Sequence, residues 1–331
     1  MNIADRAKLE RLDKIFSRNF KITQMYALYL ERFPELISRE MVDAMTDGTG
    51  FSSAEAIVAI LSEAFGLDMD KSSEDRILIR DYLTPSVRML DPKRYTENPY
   101  YKNIKIDNIK DGSWEFRLES YAPYRAVICH DMIIRDDFCE VPPLGFFPDE
   151  FSFPAVLEDG NEWMTLTPVD LDTSDEAIEA AHGRVITFGL GLGYYAYMCS
   201  EKPEVESITV IERSPEVIRL FKKHILPQFP HRDKVRIIEA DAFEYAEKVM
   251  PKERYALAFV DTWRDASDGT PMYERMKPLE SLNRDTKFMY WIENFLISRQ
   301  RALRFGKIMD MIEKSEWCPD SFDDVIARLT E

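Results

Sequence analysis

From Arg184 to Asp261 the chain alternates in a way that few architectures tolerate. Four short apolar runs, "RVITFG", "SITVIE", "KVRIIEA" and "YALAFVD", are separated by three stretches with helical spacing, "YYAYMCSEK", "SPEVIRLFKKHI" and "AFEYAEKVM". Strands buried on both faces read as continuous apolar runs, and parallel strands need a crossover long enough to hold a helix. The alternation therefore predicts a Rossmann-like α/β fold, a parallel sheet with helices on both faces. Ser214 followed by Pro215 fits an N-cap and a first-turn proline for the middle helix. After Asp261 two readings stay open. "DTKFMYWIENFLISRQRALRF" is either a fifth strand, "KFMYWIE", running into a long helix, or helix throughout. The little chain that remains looks mainly helical, so a sheet truncated at its C-terminal end is one expectation.

Upstream the texture differs. In "SSAEAIVAILSEAFG", Ser52 or Ser53 can cap a helix whose face carries Ile57, Ile60, Leu61 and Phe65, with Gly66 as the stop. "SSEDRILIRDYL" repeats this logic with Ser72 or Ser73, and Thr84-Pro85 is expected to end it. "SWEFRLESY" and "YRAVICHDMII" alternate as strands do. "FSFPAVLEDGNEWMTLTP" reads as two strands joined at Asp159-Gly160, a tight-turn dipeptide. Thr167-Pro168 opens a helix through "DEAIEAAHG", which Gly183 can end. The expected organisation is a mainly helical region over 1–112, a β-rich hairpin region over 113–178, and a Rossmann-like domain with C-terminal helices over 179–331.

Composition bounds the function. The 331 residues are 45% hydrophobic and 12% aromatic, enough for sizeable cores and about two domains. The formal net charge of −17 disfavours grooves for nucleic acid and adhesion to anionic membranes. No run approaches the length of a membrane span, and "MNIADRAKLE" has no apolar signal core. Cys129, Cys139, Cys199 and Cys318 form no CxxC pair, and the four histidines lack metal-ligand spacing, so no metal is expected. The expected address is a reducing cytoplasm, the expected partner a small-molecule substrate, and a homodimer is compatible with the sequence.

Four features fall at successive strand ends, where open parallel sheets bind ligands. Gly189, Gly191 and Gly193 in "VITFGLGLGYYAYM" offer a backbone without Cβ atoms ahead of a helix. Glu212 ends the second strand, about 20 positions past the turn, where an acid can accept from both ribose hydroxyls. Asp241 ends the third strand, placed for an adenine amino group, and Asp261 ends the fourth. Together they predict an adenosine-containing ligand. The dinucleotide fingerprint asks for a small residue where Tyr194 stands, so a ligand without phosphates fits better.

At this point the chain resembles the class I S-adenosylmethionine-dependent methyltransferases, through "VITFGLGLG", "ITVIERSPEVI", "RIIEADAFEY" and "ALAFVDTW". The resemblance runs from Arg184 to Trp263. It is nearest to the spermidine synthase branch in "ITVIERSPEVIRLFKKHILP", "EADAFEYAEK" and the DG-containing hairpin "LEDGNEWMTLT". It implies S-adenosylmethionine as cofactor, with Gly189, Gly191 and Gly193 under the methionyl part, Glu212 on the ribose, and Asp241 with the backbone of Ala242 at adenine. The chain departs from that branch at Trp163, which stands where its hairpin carries Gln. It also departs at Leu192, in place of an Asp, and at Arg264, in place of the second acid after the fourth strand. Asp265 lies one position beyond. Thr187 and Phe188 stand where methyltransferases often have an acid before the glycines.

The activity expected is methyl transfer to a small acceptor. Asp261 and then Asp265 are the candidates to orient the acceptor or take its proton. Two alternatives stand beside it: aminopropyl transfer of the spermidine synthase kind, and a nucleoside-binding module without catalysis. Trp263 and Tyr194 are read as pocket walls or as core residues, and Cys199 as buried.

Overall fold

A computed structural model describes residues 1–106 and 109–330; Asp107, Asn108 and Glu331 lie outside them. The chain folds as two units that each draw on separated segments. One comprises Met1–Leu90, Pro123–Pro148 and Asn294–Glu331, and the other Asp91–Ala122 and Asp149–Glu293. These units do not coincide with the segments 1–112, 113–178 and 179–331.

The first unit is mainly helical and carries two small sheets. Its helices include Ile3–Arg32, Ser53–Ala64 and Phe322–Thr330. Ser52 caps the second of these in a reciprocal capping box with Glu55. Ile22, Tyr26, Ile57, Leu61 and Phe146 share one buried cluster, and Leu9, Phe16, Phe305 and Val325 a second. Thr84-Pro85 does not end its helix. A π turn, Ile79–Leu83, carries the chain into Thr84–Ser86. The wider turn lets the Thr84 N–H reach the Ile79 carbonyl and accommodates the following proline ring. "YRAVICHDMII" does not form one strand either: Ala126–Ile128 and Ile133–Ile134 belong to different sheets.

The second unit holds the parallel sheet. Its strands are β1 (Gly183–Phe188), β2 (Val205–Glu212), β3 (Val235–Glu239), β4 (Leu257–Val260) and β5 (Lys287–Tyr290). They lie in the order β3-β2-β1-β4-β5, all parallel. Val185, Ile186 and Phe188 on the central strand are fully buried, as a strand covered on both faces requires. Burying each stabilises the fold by roughly 1.5–3 kcal/mol. The helices bearing on the site are α1 (Pro168–Ala180), α2 (Tyr194–Ser200), α3 (Pro215–Leu220), α4 (Ala242–Lys248) and α5 (Ala266–Met276). Of the two readings after Asp261, strand followed by helix is the observed one, the helix being Glu293–Glu313. Among the described residues the sheet has five strands.

A four-stranded antiparallel sheet completes this unit, with Phe151–Glu158 and Asn161–Thr165 as its hairpin. Asp159 and Gly160 both take positive φ, 50° and 80°, as a tight hairpin turn demands. Gly183 does not end α1. That helix stops at Ala180, and Gly183 instead opens β1 at φ 58°, donating its N–H to Glu204.

Candidate functional site

The order of strands reverses direction between β1 and β4, and open α/β sheets bind ligands outside the strand ends at such a point. The glycine turn leaves β1 here. Gly189, Gly191 and Gly193 have φ of 101°, 50° and 75°, a region side chains rarely adopt. The structure also shows what each missing Cβ makes room for. At Gly189 it would sit 1.8 Å from the carbonyl oxygen of Asp261. At Gly191 it would meet the thioether of Met164 at 2.5 Å, and at Gly193 the ring of Phe221 at 2.3 Å. Close packing within the chain thus accounts for Gly189 and Gly193, whereas at Gly191 the end of Met164 can move aside and the positive φ is what favours glycine.

Glu212 ends β2 and binds the turn directly. Its Oε2 accepts from the Leu190 N–H at 3.2 Å, and its Oε1 from the Ser214 N–H at 2.8 Å. Each oxygen retains capacity for a further donor. Asp241 lies just past the end of β3 rather than on it. As the N-cap of α4 it accepts from the Phe243 and Glu244 N–H groups, both at 3.0 Å and both through Oδ1. Ala242 heads that helix, where the intrahelical ladder offers its N–H no partner.

Asp261 follows β4 and is fixed by its backbone. Its N–H donates to the Phe188 carbonyl at 2.8 Å, joining the ends of β4 and β1. Its carboxylate accepts no hydrogen bond among the described residues and lines a cavity of about 30 Å³. Asp170 of α1, Thr187, Tyr195, Phe259 and Trp291 line the same space. Asp170 Oδ2 accepts from the Thr167 N–H and hydroxyl, at 2.7 and 2.8 Å. Burial pushes the Asp170 carboxyl up to about 6, and nearby Glu162 adds to the rise. Burial pushes Asp261 up to about 8, and the Asp170 charge adds to it. Trp291 is held beside this cavity by its N–H, which donates to the Val260 carbonyl, and by strained Ile292 at φ 47°.

Asp265 serves a different end. It is the N-cap of α5, accepting from the Ser267 and Asp268 N–H groups, and the Ser267 side chain together with these backbone bonds holds its carboxyl below the usual range. It does not line the cavity with Asp261. Arg264 is 86% exposed and pairs with Asp268 at 3.5 Å, so its charge faces solvent. Leu192 is buried in the cavity wall. Trp163 packs edge-on against Trp114, Trp263 is buried and stacks on Tyr290, and the Tyr194 hydroxyl accepts from Asn98. Asp170 escaped the sequence reading because nothing in "TPVDLD" distinguishes it from a capping-box acid, a role it also fills. Among the described residues no group of three or more His, Cys, Asp or Glu is placed to hold a metal ion. No helix among them is long and apolar enough to cross a membrane.

No family model matches the chain, and no curated protein does. Strand order and helix placement decide the fold. It is a Rossmann-like α/β fold built on a five-stranded parallel sheet. Solved structures with a likeness to it include precorrin 8w decarboxylase from Methanobacterium thermoautotrophicum, at 19% identity over 34% of this chain and 56% of that one, with a TM-score of 0.27. Spermidine synthase from Thermotoga maritima is 16% identical over 46% of this chain and 59% of that one, with a TM-score of 0.32. A protein from Klebsiella pneumoniae assigned as an O-methyltransferase is 15% identical over 31% of this chain and 46% of that one, with a TM-score of 0.25. The chain thus spans between 46% and 59% of the lengths of these proteins. At such scores the likeness adds nothing to what the strand order already says.

Proposed function

We propose that this protein is an S-adenosylmethionine-dependent methyltransferase acting on a small acceptor. The observation that carries the reading is the bond from Leu190 of the glycine turn to Glu212. It makes the turn and the acid one unit, with carboxylate capacity left over for ribose hydroxyls. Asp241 Oδ2 and the Ala242 N–H stand at the next strand end as a paired acceptor and donor suited to an adenine edge. These groups fit an adenosine-bearing ligand. When bound, the sulfonium supplies the leaving group. The chain's own residues do the rest. Asp261 carries a proton near neutrality and can donate a hydrogen bond to the acceptor; once ionised it can receive the acceptor's proton. Leu192 and Trp291 exclude water from the reacting group.

Calorimetric titration with S-adenosylmethionine and S-adenosylhomocysteine tests this. Saturable binding of either is expected, and no heat from both at about 1 mM ligand would sink it. Aminopropyl transfer is the second reading. The outward-facing Arg264 favours it, because its charge does not guard the cavity. Product from a decarboxylated donor and a putrescine-type amine would rank it first.

A further inference from the structure

Tyr194 and Tyr197, which crowd in behind the glycine turn, meet an upstream stretch of the same unit, "NPYYKN", residues 98–103. Its short helix, Pro99–Asn103, brings Tyr100 against α2. We propose that Tyr100 is a positioning residue: its hydroxyl fixes the glycine turn in the shape that Glu212 grips, and through that shape it sets how tightly the site holds its ligand. The effect on a nucleoside rests on the transferase reading above; the effect on the turn does not. Three hydrogen bonds lead from this helix to the strand-end acid. The Tyr100 hydroxyl, fully buried, donates to the Leu192 carbonyl at 2.6 Å. The N–H of the same peptide unit, that of Gly193, donates to the Leu190 carbonyl at 2.8 Å. The Leu190 N–H donates in turn to Glu212 Oε2 at 3.2 Å.

A turn of this composition needs an outside hold. Glycine at 189, 191 and 193 leaves the backbone free to adopt many other conformations. A peptide unit is planar and trans, so its carbonyl and N–H point opposite ways. Fixing the Leu192 carbonyl therefore aims the Gly193 N–H at Leu190, and the two bonds on that unit polarise each other. Tyr100 is itself held in a socket. Its ring stands edge-on to Tyr194 and Tyr197, with centroids 5.7 and 5.5 Å away. Asn98 donates to the Tyr194 hydroxyl at 3.0 Å and Asn103 to the Tyr197 hydroxyl at 2.7 Å. Tyr194, bulky where a dinucleotide fingerprint asks for a small residue, is thus one wall of that socket. Tyr101 makes the matching bond elsewhere: its hydroxyl donates, also at 2.6 Å, to the carbonyl of Leu166, outside the glycine turn.

Tyr100→Phe and Tyr101→Phe each delete one hydroxyl from the same helix and keep the ring, so both should fold and melt below wild type. Amide hydrogen exchange in the ligand-free proteins, followed by NMR, reads the turn itself, with Ile186 of β1 as the gauge of overall opening. Relative to Ile186, exchange at Leu190 and Gly193 should quicken about fivefold or more in Tyr100→Phe and stay within about twofold of wild type in Tyr101→Phe. Titration with S-adenosylhomocysteine reads the consequence. Tyr100→Phe should bind about fivefold or more weakly, and Tyr101→Phe as wild type does. Turn amides that exchange no faster in Tyr100→Phe than in Tyr101→Phe overturn the proposal, and so does undiminished affinity in Tyr100→Phe when wild type binds. A wild type without affinity for the nucleoside sinks the transferase reading, and the exchange rates then decide the role of Tyr100 by themselves.

Discussion

Asp261 shows how one side chain can tie stability to pH. Its folded carboxyl titrates at about 8 because burial disfavours the charge and Asp170 repels it, whereas an unfolded aspartate titrates near its ordinary value. Between those values the folded state binds more protons than the unfolded one, so stability falls as pH rises. The stabilisation is complete below the unfolded value and is lost as pH passes through the folded one. Asp261→Asn removes this dependence. The variant should melt above wild type in mildly alkaline buffer, and the gap should close in acid; a gap independent of pH would contradict the assignment. Gly189→Ala tests a steric claim at the same scale. Its Cβ would collide with a backbone carbonyl at 1.8 Å, on a residue held at positive φ. A loss of at least ~3 kcal/mol in denaturant unfolding is expected.

At the scale of elements, Gly306 supplies the contrast. It lies inside the helix Glu293–Glu313, and a Cβ added there would meet nothing within 4 Å. Gly306→Ala should raise stability by about 0.5–1 kcal/mol, read from the same unfolding curves. Most elements were legible in the sequence because their signals are local. Ser52, Asp159-Gly160, Thr167-Pro168 and Ser214-Pro215 each fix a cap or a turn through their own backbone preferences. The misread boundaries had non-local or subtle causes. A π turn let a helix run through Pro85, and Gly183 proved to start a strand because its partner, Val205, lies across a crossover. Asp241 and Asp265 are strand-end acids by position but helix caps by bonding. Asp170 was invisible as a site residue because a neighbour far along the chain, Asp261, gives it that meaning.

On the scale of the whole molecule, the parallel sheet belongs to a unit assembled from two segments, and the rest of the chain forms another. No linear partition of the sequence could find that division, since each unit is interrupted by the other. What the sequence did convey is the strand order's consequence: glycine turn, Glu212, Asp241 and Asp261 come to one edge of one sheet. The central claim is that the Glu212–glycine-turn unit holds a nucleoside. The most direct measurement is a calorimetric titration of wild type and Glu212→Ala with S-adenosylhomocysteine, with melting curves to verify that both are folded. The account predicts saturable binding to wild type and at least about a tenfold loss in the variant. A folded Glu212→Ala that binds as tightly as wild type, or a folded wild type that does not bind, would contradict it.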